Sequence, residues 1–242
     1  MLIQTSTNTG RRTSRYNITM DEKRILGFVP ARGGSKSIPK KNIKTLGTKP
    51  LIHHTLNTIR DVKAITYSVV STDDDDIARA CSDFNVRLVK RPARLATDTS
   101  STESAILHTL DLLQREGLTF DYVIVLEPTS PFRSIETIET CIGKIIKLNG
   151  NSLMTVVKTT SNIGRRHGDI FRPLNPNAPR RRQERDPYFI ESSTVYVSSV
   201  KHLRSTGTLV SDNWLSVVVT EEEAIDINNP IDFTIAEAIL NR

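Results

Sequence analysis

Apolar and polar positions along this chain fall into two alternating kinds of block. Residues 25–29 form an unbroken apolar run, Ile25-Leu26-Gly27-Phe28-Val29, which predicts a buried strand stopped by Pro30 and the glycines behind it. Residues 50–59 read as a helix, 66–71 as a strand, and 75–84 as a second helix with Ile77, Ala80 and Cys81 on one face. A short strand follows at 86–89. Residues 102–116 carry Ala105, Ile106, Leu107, Leu110, Leu112 and Leu113 at amphipathic helical spacing, and 122–126 return to a continuous apolar strand. A helix at 134–148 and a strand at 152–157 continue the alternation. This pattern predicts an α/β fold: a mostly parallel sheet flanked by helices, Rossmann-like, with ligands at the carboxyl ends of its strands.

The pattern breaks at residues 161–187, which are polar and hold Gly164, Gly168, Pro173, Pro176, Pro179, Pro187 and the run Arg180-Arg181-Arg182. Such a stretch suits an excursion from the sheet. Strands are expected again at 194–197 and 215–219, and a closing helix at 231–240. Residues 1–22 lack apolar periodicity and read as a disordered head, leaving 23–242 as one domain.

Composition narrows the function. The net charge is +6, with 33 basic and 27 acidic side chains. Arg11, Arg12 and Arg15 lie in the head, so the rest holds 33 − 3 = 30 basic against 27 acidic groups. That is too balanced for a nucleic-acid-binding footprint, and a small acidic ligand is the expected partner. No apolar run approaches the roughly 20 residues that span a bilayer, so no membrane partner is expected and the reading is cytoplasmic. Cys81 and Cys141 form no CxxC unit and read as ordinary thiols.

The chemistry sits behind the first strand, in Pro30-Ala31-Arg32-Gly33-Gly34-Ser35-Lys36-Ser37. Adjacent glycines let backbone N–H groups approach a polyphosphate, Ser35 can donate a hydroxyl, and Arg32 and Lys36 bring positive charge. Lys41 and Asn42 follow within reach. Neither the Walker A spacing nor GxGxxG is present, which argues against ATPases and nicotinamide enzymes.

The chain resembles the acylneuraminate cytidylyltransferases, the family of CMP-sialic acid synthetases, related to CMP-Kdo synthetases. Five blocks carry the resemblance in order: 30–42, Ser71-Thr72-Asp73, Arg91-Pro92-Ala93 through Asp98-Thr99-Ser100, Pro128-Thr129-Ser130-Pro131-Phe132-Arg133, and 226–233. It implies an enzyme that couples CTP to an acidic sugar and releases pyrophosphate, dependent on Mg²⁺, and a homodimer made partly by a lobe at about 158–190. By position, Arg32, Lys36, Lys41 and Asp226 are the implied catalytic residues. The implied nucleotide contacts are Ala31, Arg32, Gly33, Gly34, Ser35, Lys36, Asn42, Arg91, Ser100 and Thr102. Glu127, Thr129, Ser130, Arg182, Gln183 and Glu191 fall on the sugar side, with the arginine run facing a neighbouring subunit.

Three positions depart from the family's usual pattern. Glu127 stands where Gln is usual, Glu191-Ser192 where Asn-Gly is common, and Asp226-Ile227-Asn228 where Asp-Ile-Asp is frequent. Mg²⁺ needs only one or two protein carboxylates beside phosphate oxygens, so Asp226 with Asn228 is the expected metal site and Asp98 a further ligand. The substrate-side changes leave open a sialic or other nonulosonic acid, a CMP-Kdo-type acceptor, or a CTP-binding protein with impaired catalysis. Asp73 to Asp76 reads as a turn and helix cap, and Asp232 as a cap of the last helix.

Overall fold

The computed structural model describes residues 23–242; the head expected at 1–22 lies outside them. The elements run β1 (Ile25–Pro30), β2 (Thr45–Leu46), β3 (Lys49–Pro50), α1 (Leu51–Asp61), β4 (Tyr67–Thr72), α2 (Asp75–Ala80), β5 (Arg87–Lys90), α3 (Thr102–Arg115), β6 (Tyr122–Val125), α4 (Ile135–Lys147), β7 (Ser152–Thr159), β8 (Gly164–His167), β9 (Ile170–Pro173), β10 (Tyr188–Ser199), α5 (Val200–Thr206), β11 (Leu215–Val219) and α6 (Pro230–Leu240). Seven strands form one sheet in the order β11-β7-β10-β6-β1-β4-β5. Only β10 runs antiparallel to its neighbours β6 and β7. The expected mostly parallel, helix-flanked sheet is therefore present.

The central strands β1 and β6 are apolar throughout because both of their faces are covered. On β1 and β6, successive side chains point to opposite faces. Ile25, Val29, Tyr122 and Ile124 pack into a cluster with Ile52 and Leu56 of α1 and Ile138, Cys141, Ile142 and Ile145 of α4. Leu26, Phe28, Val123 and Val125 pack on the opposite face against Ala105, Ile106, Leu110 and Leu113 of α3. A third, smaller cluster of Ile38, Leu46, Leu51, Ile227, Phe233 and Ala236 lies beyond the glycine loop.

Caps explain where the helices start. Asp74 accepts hydrogen bonds from the N–H groups of Asp76 and Ile77, Ser101 from Ser104, and Ser134 from Thr137. The acidic run at 73–76 is thus the turn and cap expected of it. Asp232 differs slightly: it stands inside the first turn of α6, where its Oδ2 accepts from the N–H groups of Asn228 and Asn229.

Residues 161–187 leave the sheet as expected, carrying the hairpin β8–β9. Strand β10 begins six residues before its expected start, and its outer part, from Tyr188 to Ser192, pairs with Thr159 to Thr155 of β7 as a ribbon. Phe189, Ile190 and Glu191 are exposed there, so no alternation of burial marked the segment as a strand.

Ile124 is fully buried at the centre of the sheet. Ile124→Ala is expected to cost about 2–5 kcal/mol of stability, read as a lowered urea midpoint with an unchanged slope.

Candidate functional site

The site is assembled at the carboxyl ends of β1 and β6 from segments far apart in sequence. Strand β1 runs on one residue past its end, with the Ala31 N–H donating to the Ser71 carbonyl at 3.0 Å. Ala31 therefore extends the sheet, its N–H spent within it. The chain then turns over α2. Gly33 donates its N–H to Asp73 Oδ1 at 3.0 Å, and a Cβ on Gly33 would stand 2.6 Å from Asp74 Oδ2. Only glycine fits against that cap. At Gly34 no atom lies within 4 Å of the place a Cβ would take, so its backbone faces open space, beside the half-buried Ser35 and the exposed Lys36.

Asn42 is buried, and its amide donates to the Arg32 carbonyl at 2.9 Å. It props the loop from below. Arg91 also makes its hydrogen bonds within the fold. It is buried, with Nε on Ser71 Oγ at 3.2 Å and Nη2 on the Ser71 carbonyl at 2.9 Å. Ser100 Oγ donates to the Arg94 carbonyl and meets Thr97 Oγ1 at 2.7 Å, so this hydroxyl builds its own turn. Thr102, at the start of α3, lines a cavity of about 220 Å³ together with Glu127, Glu191 and Tyr196.

Asp98 stands opposite the loop and pairs with Arg32 Nη1 at 2.9 Å and Lys36 Nζ at 2.6 Å. The hydrogen bond from Lys36 is the largest influence holding the Asp98 carboxyl below its ordinary range, with Arg32 adding to it. Asp98 is thus brought to the loop cations Arg32 and Lys36, and not to Asp226 and Asn228.

The Asp226 segment reaches the loop by backbone stitches. Ile227 is fully buried, its N–H donates to the Thr129 carbonyl at 2.8 Å, and its carbonyl accepts from Lys41 Nζ at 2.8 Å. Ser37 Oγ donates to the Asn228 carbonyl. Burial lowers the Lys41 pKa, opposed by the nearby carboxylates of Asp226 and Glu127. Asp226 Oδ2 accepts from Asn228 Nδ2 at 2.6 Å, whereas its buried Oδ1 has no hydrogen-bond partner. An orphaned carboxylate oxygen fits a hard cation. Among the described residues no three His, Cys, Asp or Glu side chains converge on one point, so a Mg²⁺ ion here would rely on Asp226, the Asn228 side-chain oxygen and ligand oxygens.

The turn after β6 supplies the other wall. Arg133, fully buried, donates to the carbonyls of Glu127 and Thr194 and to Thr55 Oγ1, which locks the Glu127–Ser130 turn. Burial pulls its pKa down to about 10. Glu127 is pushed up, first by burial and then by Asp226, with Arg133 and Lys41 opposing. Thr129 and Ser130 are buried, Ser130 Oγ lying 3.4 Å from Ser193 Oγ. Glu191 Oε1 accepts from the Tyr196 hydroxyl at 2.6 Å. Arg182 is elsewhere: its Nε donates to Thr160 Oγ1, and it lines a separate cavity with Val219 and Glu221. Within one chain, Arg182 and its neighbour Gln183 do not join the Glu127 cavity. Sequence reasoning missed Tyr196, Glu103 and the locking role of Arg133, although Arg133 closes the Pro-Thr-Ser-Pro-Phe-Arg block. A larger cavity of about 770 Å³, lined by Ile65, Tyr67, Phe84 and Arg87, opens at the amino ends of β4 and β5, away from this chemistry.

A mostly parallel sheet with a glycine-turned, doubly cationic loop at the end of its first strand defines an α/β protein with the chemistry of a polyphosphate site. The sequence pattern of the cytidylyltransferase family matches residues 26–226, and the chain belongs to that family; it is a cytidylyltransferase. It is 30% identical to the CMP-N,N'-diacetyllegionaminic acid synthase of Legionella pneumophila over 90% of this chain and 96% of that protein. It is 28% identical to the N-acylneuraminate cytidylyltransferase of Oncorhynchus mykiss over 90% of this chain, but spans only 50% of that relative. In fold it is similar to a CMP:2-keto-3-deoxy-manno-octonic acid synthetase complexed with CTP, with a TM-score of 0.68 at 16% identity over 90% of this chain and 98% of that one. Among the described residues no helix is long and apolar enough to cross a membrane.

Asp98 holds the two cations that a triphosphate on the loop would need. Asp98→Asn is therefore expected to tighten CTP binding without divalent cation, by up to about fivefold, as befits exposed ion pairs. Calorimetry at two salt concentrations checks this; the gain shrinks as salt rises.

Proposed function

We propose that the protein couples CTP to an acidic sugar of the nonulosonic class, giving a CMP-sugar and pyrophosphate with Mg²⁺. The observation that carries this reading is the convergence of three things: the Arg32/Lys36 loop, the Asp226 segment stitched to it through Lys41 and Ser37, and the cavity walled by Thr102, Glu127 and Glu191. A triphosphate on the loop would place its α-phosphorus between Asp226 and that cavity. The acceptor's hydroxyl oxygen, the anomeric one of a 2-keto sugar acid, attacks the α-phosphorus. The bond to the bridging oxygen breaks, pyrophosphate leaves, and the hydroxyl proton passes to solvent. Arg32 and Lys36, exchanged from Asp98 to the phosphates, stabilise charge on the leaving group. Lys41 is anchored by the Ile227 carbonyl beside Asp226, whose carboxylate opposes the lowering of its pKa by burial. Mg²⁺, when bound at Asp226, would supply charge neutralisation and lower the pKa of the attacking hydroxyl. Among the described residues no histidine lines this cavity; His53 meets the Ala80 carbonyl, His54 the Leu46 carbonyl and His202 the Val210 carbonyl.

A homodimer belongs to the same reading. Ile170, Phe171, Leu174, Phe189 and Ile190 are exposed on the 158–190 lobe, an apolar surface of the kind that subunits bury. A second copy would also bring its own arginine run towards a neighbouring cavity.

Pyrophosphate release by the purified protein, with Mg²⁺ and each nucleoside triphosphate against nonulosonic and octulosonic acids, tests the reading. Turnover is expected with CTP alone, and Lys36→Ala or Asp226→Ala should lower it by on the order of 100-fold with an unchanged circular dichroism spectrum. CTP binding with no turnover on any acceptor would instead mark a binding protein that has lost catalysis.

A further inference from the structure

Resting on the cytidyl-transfer reading, we infer that the acceptor carries a free primary amine, as an ammonium, into the cavity of Glu103, Glu127 and Glu191. The substrate is then a zwitterionic amino sugar acid. Three carboxylates line this cavity of about 220 Å³, and no Lys, Arg or His does; Leu209 and Val210 complete an apolar side.

Glu127 is the decisive group. It is half-buried and lines the cavity, and no donor among the described residues reaches its carboxylate. The nearby cations are committed elsewhere, Lys41 to the Ile227 carbonyl and Arg133 to Thr55, Thr194 and the Glu127 carbonyl. Glu191 has one oxygen on the Tyr196 hydroxyl at 2.6 Å, and Glu103 receives only a 3.5 Å contact from the Leu209 N–H. All three acids keep acceptor capacity unspent; Glu103 and Glu127 are half-buried, where an uncompensated carboxylate is costly, and the exposed Glu191 stands at the rim.

The chemistry of the possible occupants differs sharply here. An ammonium brings three donors and one positive charge, so it can satisfy several carboxylate oxygens with charge-assisted hydrogen bonds. An acetamido group brings a single N–H, and its carbonyl oxygen and methyl would face acceptor-only groups. A hydroxyl brings one donor and no charge. The carboxylate of the sugar acid is repelled from this pocket as well, which orients that end of the acceptor towards the Arg32, Lys36 and Lys41 side.

The test is pyrophosphate release with CTP and three acceptors that differ at one substituent: a 3-deoxy-2-keto sugar acid bearing a free amine, its N-acetylated form, and its hydroxyl form. The expected result is a kcat/KM for the amine at least about tenfold above that for the N-acetyl form, in keeping with selection by buried polar groups. Glu127→Gln and Glu191→Gln should each lower the amine to N-acetyl ratio, which a general folding defect would not move. Equal or faster turnover of the N-acetyl form would overturn the amine assignment and leave cytidyl transfer standing. No pyrophosphate from any of the three, with CTP still bound, would overturn both.

Discussion

Ile227 joins the whole site through its backbone. Its side chain is sealed in the small cluster beyond the loop, its N–H holds the turn after β6, and its carbonyl holds Lys41. Three segments separated by about ninety to nearly two hundred positions are thereby fixed at one place. Burial pulls the Lys41 pKa down, and the Asp226 carboxylate opposes that pull in part. Without this seat, the orphaned Asp226 oxygen would have no fixed relation to the phosphate loop.

Charge is divided across the site. The loop side is cationic, with Arg32 and Lys36 held by Asp98 until a stronger anion displaces it. The opposite wall is anionic, with Glu103, Glu127 and Glu191 around an apolar patch. Under the proposed function, this division would hold the triphosphate on the loop side and leave the acid-rich wall to an ammonium-bearing acceptor. The same division gives the two unusual glutamates a common meaning. Each replaces a neutral amide expected from the family pattern, and together with Glu103 they make one electrostatic environment.

Much of the fold was legible because burial on both sheet faces and amphipathic helices leave direct traces in residue order. The strands at 25–30 and 122–125 and the helices at 102–115 and 135–147 match their expected spans to within a residue or two. The ribbon at Tyr188–Ser192 and the hairpin at 164–173 left no such trace, since exposed strands need not alternate. Among site residues, the loop glycines and cations were readable from type and spacing. The supporting roles of Asn42, Arg91 and Ser100 were not, because a polar side chain reads alike whether it bonds a ligand or a backbone carbonyl.

By itself the sequence determined the doubly covered parallel sheet, the phosphate loop at the end of its first strand and membership of the cytidylyltransferase family, since all three are written in local periodicity and in contiguous blocks. Only the tertiary structure decided how the acids are disposed. Glu191 and Tyr196 are five apart on one strand, an odd spacing that in a regular strand would put them on opposite faces. The register shift between Ser192 and Tyr196 undoes that alternation and lets them bond across the cavity. Asp98 likewise faces Arg32 and Lys36 instead of Asp226, because long-range pairing places the turn at 97–100 beside the loop.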